Sequence, residues 1–392
     1  MRKFKKLTGV LLASALVLTS LAACGSNNDA SGSGNGEVFK IGGIGPTTGG
    51  ASIFGQAVQN GAQLAVDEIN AAGGINGFQI EFNFQDDEHD AEKSVNAYNT
   101  LKDWGMQILL GTVTSTPAVA VVEEAFNDNL FMLTPSATAV AAIGHPNAFR
   151  VCFSDPDQGV ASAEFIADNN LATRIAVIYD SSDVYSSGIF EAFQKEAEVR
   201  GLDLVSVEAF TSASNTDFSV QLQKAQEADA ELLFLPFYYQ EASLVLKQAH
   251  DMGFAPIIFS CDGMDGILDV DGFDTSLADG VMFLAPFAST SEDEAVVSFV
   301  NAFQDRFGNV PNQFAANAYD GIYIIKAAIE HAGITPDMDV SEIGDKMIAA
   351  MQEITFNGVT MYNSTWTADG EPKKDPMVIE IRDGVYHVVQ YN

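Results

Sequence analysis

The chain has 392 residues, 47% of them hydrophobic and 18% charged, with 53 Asp and Glu against 19 Lys and Arg. That apolar content excludes wholesale disorder, and the length suffices for two domains with a sizeable core. A net charge of −34 excludes a nucleic-acid footprint and docking on anionic lipid through a basic face, because both need clustered Lys and Arg.

The N-terminus reads as an address. Arg2, Lys3, Lys5 and Lys6 precede an apolar run from Leu7 to Leu21, which closes in Leu21-Ala22-Ala23-Cys24. A basic segment, a short apolar core and a small-residue junction predict a secretory signal over residues 1–23. The run is shorter than the roughly 20 apolar residues a spanning helix needs. Residues 24–36 are almost all Gly, Ser, Asn and Asp, and predict a flexible tether with a reach of about 20 Å. Beyond Cys24 only Cys152 and Cys261 remain, and sequence alone cannot pair them. No Cys or His spacing suits zinc, so no metal is expected.

The body alternates short aliphatic runs with helix-length segments. In chain order the expected strands are 38–44, 79–85, 107–113, 130–134, 174–179, 203–209, 232–237, 256–260 and 281–287. Most are continuous apolar runs, the mark of parallel strands covered on both faces. Segments with 3.6-residue periodicity lie between them: Gln56–Asn70, Ala91–Trp104, Val184–Arg200, Asp217–Glu227 and Glu241–Met252. Right-handed βαβ units and doubly wound parallel sheets follow. The strands are too many for one compact sheet, so two α/β lobes are expected, with Asp155-Pro156-Asp157 breaking the pattern at the change of lobe. After residue 287 the chain turns helical over 292–307, 313–331 and 340–354, then closes in a hairpin, 378–382 and 385–390, about Asp383-Gly384. The late helices need a surface to pack on, and a return to the first lobe supplies it. The expected division is 37–153 plus 286–355 for the first lobe and 154–285 plus 356–392 for the second, joined by a hinge of several strands.

Several stretches carry a family resemblance. Ile41-Gly42-Gly43-Ile44-Gly45-Pro46-Thr47-Thr48-Gly49 and residues 61–77 (GAQLAVDEINAAGGING) are two of them, followed by Asp86-Asp87 and by Gly111 with Thr114-Ser115-Thr116. Together they resemble the opening of type I periplasmic binding proteins of the branched-chain amino acid class, the substrate-binding components of ABC importers. The resemblance covers about residues 37–390. It implies a monomer that needs no cofactor, closes on an amino acid, and docks on the importer's membrane permease subunits. Leu21-Ala22-Ala23-Cys24 likewise resembles the bacterial lipobox, which implies lipidation at Cys24 and a membrane anchor outside the cell. A plain signal peptide with an incidental Cys24 is the alternative.

Ligands of open α/β sheets sit beyond the carboxyl ends of strands. Two loops there, 114–117 and 135–138, are uncharged and rich in hydroxyls, which suits an α-carboxylate. The family pattern implies that Ser115 and Thr138 contact the ligand's main-chain groups and that Ser136 adds a backbone or hydroxyl contact. It places an acidic residue for the α-ammonium at Asp262, and a side-chain pocket of Phe54, Tyr185 and Tyr238. The interval from Asp180 to Tyr185 is one residue longer than the family's, so Ser182, Asp183 or Val184 stands as the alternative to Tyr185. Phe314, Tyr319 and Asp320 fall near a third cleft region.

An enzyme would need more. G-x-S-x-G and the Walker A motif are absent, and Gly43-Ile44-Gly45 lacks the third glycine of a dinucleotide fingerprint. His89 falls in the run Asp86–Asp90, which reads as a solvated loop. The leading expectation is a lipid-anchored binding protein for a branched-chain or other apolar amino acid. The same fold holding a short amide, a urea-like compound or a nucleoside is the nearest alternative. An exported α/β hydrolase and a chemosensory receptor lobe are remoter ones.

Overall fold

A computed structural model describes residues 37–374 and 376–389. The signal over 1–23, Cys24, the tether over 24–36 and Gln390 of the expected hairpin lie outside the described residues.

Twelve strands form two sheets among the described residues. The first has the order β2-β1-β3-β4-β5, from β1 (Val38–Gly45), β2 (Gln79–Asp86), β3 (Ile108–Gly111), β4 (Phe131–Thr134) and β5 (Ala148–Arg150). All of its pairings are parallel. β3 and β4 are buried at every position, as their unbroken aliphatic character requires when helices cover both faces. The second sheet has the order β12-β11-β10-β9-β8-β6-β7. Its strands are β6 (Arg174–Asp180), β7 (Asp203–Phe210), β8 (Leu232–Leu235), β9 (Ile257–Ser260), β10 (Met282–Ala285), β11 (Met377–Arg382) and β12 (Val385–Val388). β11 runs antiparallel to β10 and to β12. Asp383 and Gly384 between β11 and β12 both take positive φ, as a two-residue hairpin turn of this hand demands.

The helices are α1 (Ser52–Ala71), α2 (Ala91–Trp104), α3 (Ser115–Asn127), α4 (Asp155–Asp168), α5 (Val184–Arg200), α6 (Ser219–Glu227), α7 (Tyr239–Asp251), α8 (Glu294–Phe307), α9 (Gln313–Ala332) and α10 (Val340–Met351). Two α/β lobes result, each built on its own sheet. After β10 the chain returns: α8 and α9 pack on α1, and α10 packs on β4 and α9. α1 and α9 approach so closely that a Cβ on Gly61 would stand 2.1 Å from the carbonyl oxygen of Ala315. The chain then goes back to place β11 and β12 on the second sheet, so it crosses between the layers three times.

One local expectation is corrected. Asp155-Pro156-Asp157 does not break the pattern but begins α4. Ser154 is the N-cap; its Oγ accepts the N–H of Asp157 at 3.2 Å, and the Asp157 carboxylate accepts the N–H of Ser154 at 3.2 Å. Proline fits the first helical turn because its missing donor would be unpaired there in any case.

Candidate functional site

In each sheet two neighbouring strands lead to connections that leave on opposite sides, β1 and β3 in the first and β6 and β8 in the second. A crevice opens beyond the carboxyl ends of such a pair. The two crevices face each other. Between them lies a narrow, nearly closed cavity of about 10 Å³ lined by Phe54, Val113, Thr114, Ser115, Ser136, Thr138, Tyr185, Tyr238, Asp262, Gly263 and Phe314. All seven ligand-site residues named from the sequence stand on it: Phe54 in the first turn of α1, Ser115 at the start of α3, Ser136 and Thr138 after β4, Tyr185 in the first turn of α5, Tyr238 after β8 and Asp262 after β9.

One wall is neutral and rich in donors. Ser115 Oγ accepts the backbone N–H groups of Thr138 at 3.2 Å and Ala139 at 3.1 Å, which leaves its own O–H to donate. Thr138 Oγ1 is buried, with the Asp155 carboxyl beside it. Ser136 Oγ donates to the carbonyl of Val113 at 2.7 Å, so that hydroxyl proton is already committed within the first lobe. Thr114 is the N-cap of α3 but its side chain does not cap the helix; its Oγ1 meets His89 Nδ1 at 2.8 Å instead. The positive end of α3 therefore stays open at this wall.

The opposite wall carries charge. Asp262 Oδ1 accepts the hydroxyl of Tyr185 at 2.7 Å, and the Asp262 N–H donates to Gln158 Oε1 at 3.0 Å. Burial raises the Asp262 carboxyl to about 6. Burial, reinforced by the Asp262 charge, pushes the Tyr185 phenol well above its ordinary value and keeps it a donor. The aromatic lining is continuous. Tyr185 and Tyr238 stack at 4.8 Å, Tyr238 meets the edge of Phe54 at 5.6 Å, and Phe54 stacks on Phe314 at 4.0 Å.

Of the residues expected less centrally, Phe314 joins the lining. Tyr319 donates to Glu68 Oε2 at 2.6 Å, and Asp320 caps the Val359-Thr360 turn, so neither reaches the cavity. In the 180–185 loop Ser182 and Val184 are exposed. Asp183 instead accepts Thr116 Oγ1 from the other lobe at 3.1 Å. Other cross-lobe contacts had no signal in the sequence: Ile53 N–H to Tyr239 Oη at 3.2 Å, and Gln313 to Asp265 Oδ2 and to the Asp262 carbonyl at 3.0 and 3.1 Å. His89, read as part of a solvated loop, is half-buried with its ring edge-on to Tyr238 at 5.5 Å. Cys152 and Cys261 are both free and buried. Among the described residues no cluster of His, Cys, Asp and Glu suits a metal ion, and no helix is long and apolar enough to cross a membrane.

Residues 38–385 match the family described as periplasmic binding protein. The chain belongs to that family. It is 32% identical over 300 residues to Leu/Ile/Val-binding protein homolog 3 of Brucella melitensis, covering 76% of this chain and 80% of that one. It is 31% identical over 324 residues to Leu/Ile/Val-binding protein BraC3 of Rhizobium johnstonii, covering 81% and 86%. Among solved structures it resembles the branched-chain amino acid transporter substrate binding protein LivJ from Streptococcus pneumoniae, crystallised with isoleucine. That likeness has a TM-score of 0.82 at 28% identity and covers 91% of this chain and all of that one. Within the periplasmic binding proteins the chain falls in the type I, branched-chain amino acid class.

Proposed function

We propose that this periplasmic binding protein is the extracytoplasmic substrate-binding component of an ABC importer and holds an apolar amino acid between its lobes. The observation that carries this is the polarity of one cavity: donors at Ser115, Thr138 and the open end of α3 on one wall, the Asp262 carboxylate on the other. A zwitterion fits that pattern, its carboxylate toward the donors and its ammonium toward Asp262. Phe54, Tyr185, Tyr238 and Phe314 give an apolar surface for the side chain. Ser136 acts through the shape of its loop. The Leu/Ile/Val-binding relatives and the isoleucine-bound LivJ support the branched-chain class of ligand.

The mechanism is closure without covalent chemistry. Ligand contacts from both lobes favour the closed state by their differential affinity, and the closed form docks on the permease. The proposed lobes are 37–153 with 286–355 and 154–285 with 356–392. The hinge is the three crossings of the chain between the two layers. The protein acts as a monomer, held to the outer face of the membrane by lipid on Cys24 after loss of residues 1–23. Calorimetric titration against the twenty amino acids tests the reading: saturable binding of Leu, Ile or Val at one site is expected. Absence of binding to every amino acid would reject it. Mass spectrometry of the exported chain tests the anchor, which requires diacylglycerol on Cys24.

A further inference from the structure

The loop that carries Thr138 has no secondary structure of its own to hold it, yet three successive carbonyls in it point at one side chain. Arg150, the last residue of β5, is fully buried. Its Nη1 donates to the carbonyls of Ala137, at 3.3 Å, and of Thr138, and its Nη2 donates to the carbonyl of Ala139 at 3.0 Å. Nε lies 3.1 Å from Glu371 Oε2 on the last crossing segment. The same segment holds the Arg150 backbone, with its N–H on the Gly370 carbonyl at 3.1 Å and its carbonyl on Trp366 Nε1 at 2.8 Å. The loop is thus gripped from both sides. Its carbonyls rest on a guanidinium, and the N–H groups of Thr138 and Ala139 rest on Ser115 Oγ.

We propose that Arg150 is the positioning residue of the carboxylate-binding wall. Its guanidinium, steadied by Glu371, fixes the 137–139 carbonyls so that the Thr138 and Ser115 hydroxyls stand where a ligand's carboxylate meets them. The planar fork spreads its donors over the three carbonyls from two nitrogens in a fixed geometry; a lysine ammonium keeps the charge but gathers its donors on one atom. A buried arginine is costly to keep unless its charge and donors are engaged; here the Nη donors go to the binding loop, and Nε, which makes no hydrogen bond, is ion-paired with Glu371. The fixed charge also lies behind the wall that takes the ligand's negative pole. This inference rests on the amino-acid reading of the cavity.

The test separates positioning from general support by changing the ligand as well as the protein. Titrations of the full-length chain and of Arg150→Lys are run with leucine and with leucinamide, which keeps the ammonium and the side chain and lacks the carboxylate. Arg150→Lys is expected to bind leucine about tenfold more weakly while leucinamide changes less than about twofold. Glu371→Gln, a milder change at a part-exposed partner, is expected to shift the leucine-to-leucinamide ratio in the same direction by about threefold. It serves if Arg150→Lys fails to fold. Equal losses for both ligands, or none for either, overturn the positioning role. Wild-type protein that binds no amino acid removes the reading beneath the inference and the inference with it.

Discussion

The Tyr185 hydroxyl donates to Asp262 Oδ1 at 2.7 Å and also accepts the N–H of Gly263 at 2.9 Å, so one phenol fixes both the carboxylate and the turn that bears it. The tyrosine comes from the start of α5 and the aspartate from the end of β9, 77 residues apart. Asp262→Ala is expected to cost 2–5 kcal/mol of amino-acid affinity, the range for removing one partner of a buried ion pair. Tyr185→Phe keeps the stacked ring and loses only the donor, so a loss of about 1–2 kcal/mol is expected. Calorimetric titration measures both, and an Asp262→Ala chain of unchanged affinity would remove that residue from the site.

Affinity should depend on pH through the same carboxyl. With Asp262 at about 6 in the ligand-free chain, it is ionised at pH 7.5 and ready for an ammonium. Below about 6 a proton occupies it, and binding must displace that proton. Leucine affinity is therefore expected to fall by about tenfold between pH 7 and 5. Asp262→Asn should flatten the profile at low affinity. A wild-type profile that is flat across this window would contradict the assignment.

Stability should run the other way. Burial raises Asp87 to about 7 and Asp262 and Asp265 to about 6, against 3.8 for a free aspartate. Between about pH 4 and 7 the folded chain therefore holds more protons than the unfolded chain. The stability these groups contribute is full below pH 4 and is lost as pH rises through 6 and 7. Self-repulsion of the excess carboxylates acts in the same sense. The ligand-free chain is expected to unfold about 5 °C higher at pH 5 than at pH 8, as read by calorimetry or circular dichroism.

The crossings between the lobes meet in a polar knot. Asp320 on α9 is buried and accepts the N–H groups of Val359 and Thr360 at 2.9 and 2.8 Å and the Thr360 hydroxyl at 2.7 Å. Lys374 Nζ reaches the Val151 carbonyl at 3.1 Å and Asn317 Oδ1 and Thr360 Oγ1, each at 3.0 Å. Asp320→Ala leaves buried donors unpaired beside that ammonium and is expected to destabilise the chain by about 3 kcal/mol. Urea unfolding measures this. Leucine affinity of the variant, measured while it is folded, should match the wild type because Asp320 lies off the cavity.

Much of this was legible in the sequence because the elements announce themselves by period. Continuous aliphatic runs such as 108–110 and 131–133 read as covered parallel strands, whereas Ser115, Ser136 and Thr138 just beyond them were singled out by the family resemblance and not by period. α4 was hidden because Asp155-Pro156 reads as a break, although proline after a serine cap also starts a helix. β5 was hidden by its length of three residues. His89, Gln158 and Gln313 were illegible for a different reason. Each acts through a partner distant in the chain, and neither period nor composition reports such pairings. Arg150 is the sharpest case: nothing in the neighbouring sequence announces the three carbonyls and the Glu371 carboxylate that meet it in the interior.

A crystal structure of the chain grown with leucine tests the central claim most directly. The account predicts one ligand in the cavity between the lobes, its carboxylate within hydrogen-bond reach of Ser115 and Thr138 and its ammonium on Asp262. A ligand seated with those poles reversed, or outside the cavity with Asp262 still held by Tyr185, would contradict it.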